Sequence, residues 1–391
     1  MKKLYIALGV LLVEIVGAVF VARYATSGST DRVHFERGET ELVIANPANA
    51  PLRLFKAGKS LAEPSLIPSF DGNRLWLPAG NYFLQAGRQT SYPIPLLGFR
   101  QGPEETGELT VTIRAMATGL PPRLLPNAPE FVVIPSGHFL YGDRTNPQES
   151  HYVWQQAFFI SPFEVMNEEF RAFLSDPSGY NNNAHWTEDG KRWKAENPSS
   201  NSARLNPTDA DFKRFGQSDQ PVVKVNWFEA MAYCHWLTNK IGAKKWIYAL
   251  PSEAEWEKAA RGPDNFDYGL GMNLSDAEVK IYNWKKNPSA EVTVVGWRET
   301  SANYRSNRYG IFHATGNVSE WTLSLQRQAN REHPYADDDR NRATLGGARV
   351  VRGGSWYSAS TATMYISYQE TFEPAVHTPY LGFRIVARVI P

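Results

Sequence analysis

The chain has 391 residues, with 41 lysines and arginines against 40 acidic residues and a formal net charge of +1. This balance excludes nucleic-acid binding through a broad basic surface, and a content of 42% apolar and 21% charged residues excludes wholesale disorder. The single cysteine, Cys234, excludes an intrachain disulfide, a cysteine-built zinc site and two-thiol chemistry.

The first predicted element is an N-terminal membrane anchor over residues 1–25. Nineteen residues from Leu4 to Ala22 are apolar or small except for Glu14. As a helix they would extend about 28 Å, close to the roughly 30 Å of a bilayer core. Two lysines precede the segment, which favours a cytoplasmic N-terminus. We therefore predict a single-pass protein of the cytoplasmic (inner) membrane with its C-terminal bulk in the periplasm.

Other interpretations of this segment stay open. A cleaved signal peptide competes with the anchor, although no small-x-small cleavage site follows the long apolar run. Gly9 followed by Glu14 matches a prepilin pattern, but the residues before Gly9 are apolar where prepilin leaders are polar. Because an ionisable side chain is costly inside a membrane, Glu14 is either a tolerated, protonated residue or a contact with another membrane subunit.

A β-rich region follows over residues 26–115. Runs such as residues 41–44 and 109–114 have strand-forming composition, and turns of Pro, Gly and Asn separate them. The pattern predicts a small β-sandwich that serves as a spacer or docking module, and residues 77–82 resemble the hairpin of PEGA-type surface modules. Residues 116–130 contain four prolines and are predicted to be a linker.

The remainder, residues 131–391, is predicted to be one loop-rich α+β domain. Asn226 is the predicted N-cap of a helix over residues 227–239, and Ser252 with Glu255 predicts a capping box at the start of another helix. The stretches around these helices are rich in Asn, Ser, Gly and Pro. Such long loops in a compact domain indicate function or ion binding.

Motifs in this domain occur as an ordered set. They lie in residues 131–139 with 158–167, in 221–237, 250–262 and 309–321, and in 352–356 with 381–384. Together they resemble the formylglycine-generating, sulfatase-modifying enzyme family, whose fold is a variant of the C-type lectin fold. The resemblance covers nearly all of residues 129–390 and implies a core filled by large tryptophan side chains.

The resemblance does not extend to the catalytic cysteines of that family. Active members bind copper through two cysteines that follow a Gly-Gly-Ser-aromatic turn, and the matching positions here are Ser358 and Thr363. A hydroxyl cannot replace a soft thiolate as a copper(I) ligand, so we predict that formylglycine generation is lost. Cys234 is predicted to be a buried side chain. The eight histidines are scattered, which disfavours the histidine-bound iron of another family branch.

Calcium is the cofactor that the resemblance implies. Gly316 and Val318 would offer backbone carbonyls and Glu320 a carboxylate, and Asn283 marks a second calcium position. These are the hard oxygen ligands that calcium prefers. The asparagine that leads this motif in the family is His313 here, which is a poor calcium ligand.

The predicted function is that of a non-catalytic binding or assembly protein, a subunit or accessory of a membrane complex with a protein partner and no nucleic acid. Residues 357–380 match the substrate groove of the family and are rich in Tyr, Ser, Thr and His, which make adaptable contacts. The alternative is a periplasmic maturation enzyme of oxidase type that uses a non-cysteine site. The predicted binding surface consists of Tyr357, Tyr365, Tyr368, His377 and Tyr380.

Overall fold

The structure, a computed structural model, describes most of the chain beyond residue 38. The described residues are 39–46, 51–61, 64–67, 74–86, 90–96, 108–112, 119–143, 150–198, 210–274, 282–284, 305–326 and 346–390. The predicted anchor, with Glu14, lies outside these residues. Within them, no helix has the length and apolar character needed to span a membrane.

Strands of the N-terminal region fall into two compact units. They are β1 (Glu39–Ala45), β2 (Leu52–Lys56), β3 (Ser65–Leu66), β4 (Arg74–Pro78), β5 (Gly80–Ala86), β6 (Thr90–Leu96) and β7 (Glu108–Thr112). In the first unit β1 pairs antiparallel with β4 and parallel with β7. Leu42 and Ile44 of β1 are buried at alternate positions, as the sequence pattern predicts. The arrangement of the region as one β-sandwich stays a prediction.

The sheet β3-β2-β5-β6 belongs to the same compact unit as residues 113–391. Its contacts with that part of the chain centre on Arg308. The Arg308 guanidinium pairs with Asp264 (Nε to Oδ2, 2.9 Å), donates to the Leu61 carbonyl at 3.1 Å and lies 4.7 Å from the Phe83 ring centre. The cation–π contact and the hydrogen bond therefore hold the sheet in place, and the charge pair with Asp264 fixes the position of Arg308 itself.

The strands and helices of the larger unit follow in chain order. The strands are β8 (Val132–Ile134), β9 (Gly137–Tyr141), β10 (His151–Gln155), β11 (Phe158–Ile160), β12 (Trp246–Ala249), β13 (Ser319–Leu325), β14 (Arg349–Arg352), β15 (Glu370–Phe372), β16 (Leu381–Gly382) and β17 (Val386–Val389). The helices are α1 (Asn167–Ser175), α2 (Glu188–Glu196), α3 (Ala210–Phe215), α4 (Trp227–Ile241) and α5 (Glu253–Arg261). The sheets are β12-β17-β11-β8, β15-β14-β13-β16 and the hairpin β9-β10. The predicted α+β class is confirmed.

Both predicted helix caps are confirmed. Asn226 begins α4, where its Oδ1 accepts the Glu229 N–H at 2.9 Å and the Glu229 carboxylate accepts the Asn226 N–H at 3.0 Å. Ser252 and Glu255 make the same reciprocal pair at the start of α5. Helix α2, in a stretch predicted to be loop, begins at Thr187, whose hydroxyl accepts the Gly190 N–H.

Tryptophans fill the core, as the sequence predicts. Trp227 and Trp321 are almost fully buried, and their indole N–H groups donate to the carbonyls of Thr322 and Val225, both at 2.9 Å. Each large ring thus buries its apolar area with its polar atom satisfied. Cys234 is fully buried in α4, and this burial raises the pKa of its thiol above the usual range. The prediction of a buried cysteine is confirmed.

Candidate functional site

Ser358 and Thr363 converge on one tight turn. Gly354 has a φ of +63°, and a Cβ at this residue would lie 2.5 Å from the Thr363 carbonyl and 3.2 Å from the Ser358 hydroxyl. Only glycine fits such a position. The fold therefore brings together the two residues that replace the cysteines of the resembling family.

Both hydroxyls are engaged within their own loop. The Ser358 Oγ accepts the Ser355 N–H at 2.8 Å, and the Thr363 Oγ1 donates to the Ser360 carbonyl at 2.7 Å. Hydrogen bonds from a side chain to nearby backbone stabilise a turn. The loop thus uses these two groups for its own conformation.

An aromatic surface lies beside this turn. The Tyr357 and Tyr380 rings are stacked, with centres 5.1 Å apart, and the Trp356 ring meets Tyr357 edge-on at 5.4 Å. Phe215 stacks on Trp356, and the Arg214 guanidinium lies 5.3 Å from the Trp356 ring. We call these five residues the aromatic surface. Tyr357 is 51% exposed, which makes it the most accessible ring of the set.

The other predicted binding residues are also accessible. Tyr365 and Tyr368 are each 37% exposed, and Tyr365 packs against Tyr268 with ring centres 4.7 Å apart. His377 is exposed, and its Nδ1 lies 3.1 Å from the Ala375 carbonyl. The structure thus joins Tyr357 with Tyr380 directly, and it places Tyr365 in a separate pair with Tyr268.

Glu320, the predicted calcium carboxylate, is buried and bound by protein donors. Arg384 donates to both of its oxygens, from Nε at 2.6 Å and from Nη2 at 2.7 Å. The Trp256 indole N–H donates to Oε2 at 2.7 Å. Burial raises the pKa of Glu320, and the guanidinium opposes that shift. The charge that would attract calcium is therefore already compensated by Arg384.

His313 occupies a second buried charge pair. Its Nδ1 lies 3.2 Å from Glu164, and the Asn317 amide donates to the other oxygen of Glu164 at 3.0 Å. Burial alone would raise the pKa of Glu164, but the charges of His313 and Arg384 outweigh burial and hold it below its usual value.

The remaining calcium positions lie close to this pair. Asn283 donates to the Asn317 side chain at 3.1 Å, and a Cβ on Gly316 would lie only 1.9 Å from the Tyr282 carbonyl. Over the part of the chain that the structure describes, no three His, Cys, Asp or Glu side chains are arranged to hold a metal ion. The side chains around Glu320 thus fit calcium poorly. A site built on the carbonyls of Gly316 and Val318 stays a prediction.

Residues 117–389 match the model of a family described as the sulfatase-modifying factor enzyme 1-like domain. The chain belongs to this family. The resemblance found in the sequence motifs is thereby confirmed, and we call the matched part the family domain.

Relatives in this family differ in what their names describe. Serine/threonine-protein kinase pkn1 of Chlamydia caviae is 27% identical over 260 residues, which cover 65% of this chain and 37% of that protein. Inactive C-alpha-formylglycine-generating enzyme 2 of Mus musculus is 29% identical, and the match covers 58% of this chain and 74% of that protein. Hercynine oxygenase of Mycolicibacterium smegmatis is 30% identical, and the match covers 65% of this chain and 60% of that protein. The chain spans less than two fifths of the length of the pkn1 kinases that it matches.

The chain also has matches among solved structures. Treponema denticola variable protein 1 is 22% identical, with a TM-score of 0.46, and covers 66% of this chain and 95% of that one.

A second concave region, which we call the linker cleft, was not predicted. It lies between residues 122–131, most of which belong to the predicted linker, and the loop at residues 161–166, with Glu169 of α1 also in its lining. These residues of the predicted linker fall within the family domain and pack into it, since the Tyr248 hydroxyl donates to the Pro122 carbonyl at 2.6 Å. Arg123 fixes the linker turn by donating to the Ala128 carbonyl.

Glu169 is the unusual group of the linker cleft. Its Oε2 accepts the Met166 N–H at 3.0 Å, as in a capping box, but methionine is a poor N-cap and gave no signal in the sequence. Burial raises the pKa of Glu169 to about 7; the Met166 N–H lowers it and the neighbouring Glu168 raises it further. No basic side chain of the described residues forms an ion pair with Glu169.

Proposed function

We propose that this chain is a membrane-anchored, extracytoplasmic binding or assembly protein with a non-catalytic family domain. The observation that carries the proposal is that the hydroxyls of Ser358 and Thr363 bind the backbone of their own loop. Both residues stand where the resembling enzymes hold copper. A site without thiolates has no soft ligand for copper(I).

The aromatic surface supports a binding role beside that turn. Tyr357 and Tyr380 present large rings at low entropic cost, since a tyrosine has few rotatable bonds and Tyr380 already stacks on Tyr357. Arg214 adds a positive charge next to the rings. Aromatic residues and arginine dominate the energy of protein interfaces, so the proposed partner is a protein.

The proposed location rests on the N-terminal sequence. An uncleaved anchor from Leu4 to Ala22 would place the family domain in the periplasm, attached to the inner membrane. Glu14 would then contact a second membrane subunit, because a carboxyl group is costly within a bilayer and a polar partner lowers that cost. A family relative described as inactive also supports a role without catalysis.

Metal analysis of the full chain, purified in detergent after growth with copper and iron, tests the absence of catalysis. We expect neither metal in stoichiometric amount. One copper or iron per chain would overturn the proposal. Calcium at one per chain would agree with the carbonyl site at Gly316 and Val318 and would leave the non-catalytic role standing.

Affinity purification with the anchor intact tests the binding role. We expect partners that wild type captures to be lost from Tyr357→Ala and, for membrane subunits, from Glu14→Leu. Trp154→Ala is the matched control, since Trp154 is an exposed aromatic residue on the hairpin β9-β10. An unchanged set of partners in all three variants would contradict the proposal.

A second candidate is a periplasmic maturation enzyme of oxidase type with a non-cysteine site. The relative named hercynine oxygenase favours it, because that name describes an oxidative enzyme in this family. This function needs a bound metal or cofactor, and the metal analysis therefore separates the two candidates.

A further inference from the structure

The linker cleft combines apolar walls with two carboxyl groups and the guanidinium of Arg123. Prolines and leucine of the linker, with Phe131, Phe163 and Met166, supply the apolar part of the lining, and Glu164 and Glu169 supply the acidic part. Apolar pockets with few polar groups are the usual form of small-ligand sites, and the polar groups select the ligand. The chemistry of the ligand therefore depends on these two acids.

The two acids differ in their charge balance. Glu164 has His313 at 3.2 Å and the Asn317 amide at 3.0 Å, so its charge is already compensated. Glu169 receives only the Met166 N–H, on Oε2, and the described residues place no donor on its Oε1. Glu169 is half-buried at the edge of this apolar cleft, and a cation that joins its carboxylate there is held more strongly than it would be in open water.

The charged groups on the neighbouring elements do not neutralise the Glu169 carboxylate. On the linker, Arg123 donates to the Ala128 carbonyl and lies 4.0 Å from Glu130. On α1, Glu168 adds a second negative charge beside Glu169, whereas Arg171 donates to the Gly216 carbonyl at 2.9 Å. The loop contributes Glu164, which is already paired. The net local charge next to Glu169 is negative, which favours a cationic ligand.

We infer that the linker cleft binds a primary ammonium group carried on an unbranched apolar stem. The stem would lie along the apolar walls, and the ammonium would donate to Oε1 of Glu169. Phe131 and Phe163 in the same lining further favour a cation. A lysine side chain and a free alkylamine share this chemistry.

The geometry selects ammonium over guanidinium. A guanidinium group binds carboxylates best through two parallel hydrogen bonds, one to each oxygen. Met166 already occupies Oε2 of Glu169, so one oxygen remains for the ligand. A compact ammonium group needs only one carboxylate oxygen. This inference concerns a site other than the aromatic surface and holds whichever proposed function is correct.

Calorimetric titration of the full chain at pH 7.5 tests the inference. The probes are n-pentylammonium for a free amine, Nα-acetyl-lysine N-methylamide for a lysine residue, and n-pentanol as a neutral control. We expect at least one ammonium probe to bind wild type, and to bind Glu169→Gln at least tenfold more weakly. The amide of this variant keeps an acceptor for the Met166 N–H, so the substitution removes only the charge. Pentanol should bind both proteins alike.

Glu168→Gln is the control variant, because Glu168 lies on the same helical turn outside the cleft lining. It should weaken binding of the ammonium probes much less than Glu169→Gln does, because Glu168 adds charge beside the cleft but makes no contact within it. Wild type should also release protons when an ammonium probe binds, seen as a dependence of the heat on the buffer. Failure of both ammonium probes to bind wild type, or equal binding to Glu169→Gln, would overturn the inference.

Discussion

The ionic core of the family domain and the linker cleft hold carboxylates in opposite ways, because those of the core are buried with cations and Glu169 of the cleft is half-buried without one. In the core, Glu320 meets Arg384, and Glu257 meets both Arg261 and Arg352. In the cleft, Glu169 meets no cation among the described residues. A buried carboxylate that is hydrogen-bonded to a cation belongs to the fold, whereas a half-buried carboxylate without a cation costs stability and is available to a ligand. Substitutions at the two places should therefore affect stability with opposite signs.

Arg384→Met should have the largest effect. It leaves the Glu320 carboxylate buried without its guanidinium, and breaking a buried pair from one side costs about 3–5 kcal/mol. Urea denaturation of wild type and variant measures the difference in the free energy of unfolding. Arg192→Met is the control, because the Arg192–Asp189 pair is on the surface. A loss below about 1 kcal/mol for Arg384→Met would remove the distinction between core and cleft.

His313→Asn should have the next largest effect, and it should depend on pH. Loss of the imidazole removes a charge that lowers the pKa of Glu164. A carboxyl with a depressed folded pKa stabilises the protein above its unfolded pKa of about 4.3, and loses that contribution as pH falls through the folded value. The variant should therefore be less stable by roughly 1–3 kcal/mol at pH 7.

The loss in His313→Asn should shrink below about pH 4. Unfolding curves between pH 3 and pH 7 measure this trend. The same loss at all pH values would mean that His313 stabilises the domain by packing, since its ring also lies against Phe163. Glu164 would then be neither a carboxylate stabilised by a cation, like Glu320, nor an unpaired one, like Glu169.

The core was predictable from the sequence, and the cleft was not. Asn226 and Ser252 have the local signature of a helix cap, and family motifs surround the Trp321 and Gly354 positions, so short-range patterns located them. The cleft joins Phe131, Glu169 and residues near both ends of the family domain, which only the fold brings together. No local pattern carries such a site. The charge partner of Glu320 was missed for the same reason, because 64 residues separate it from Arg384.

Glu169→Gln should raise stability, with a smaller magnitude. Burial raises the folded pKa of Glu169 to about 7, so the folded state holds a proton more tightly than the unfolded state. The loss of folding free energy caused by this carboxyl therefore grows as pH rises from about 4.3 to 7, and it is constant above pH 7. Glutamine carries no such cost.

The variant Glu169→Gln should match wild type near pH 4 and exceed it by on the order of 1–2 kcal/mol at pH 8, which is less than the full pKa shift would give because water screens the half-buried Glu169. Thermal or urea unfolding at the two pH values measures the gain, with Glu168→Gln as the control. A loss of stability at pH 8 would show that the Glu169 charge serves the cap of α1 rather than a ligand.

Tyr357→Ala should change stability least of all. The ring is 51% exposed and loses mainly its stack on Tyr380, which contributes about 0.5–1 kcal/mol. Denaturation of this variant beside Trp154→Ala measures the change. We expect Tyr357→Ala to lose partner binding while its free energy of unfolding stays within about 1 kcal/mol of wild type. That result would mean that the aromatic surface, like the linker cleft, serves a binding partner rather than the stability of the fold. A loss above about 2 kcal/mol would place Tyr357 with the core, as a residue that the fold itself requires.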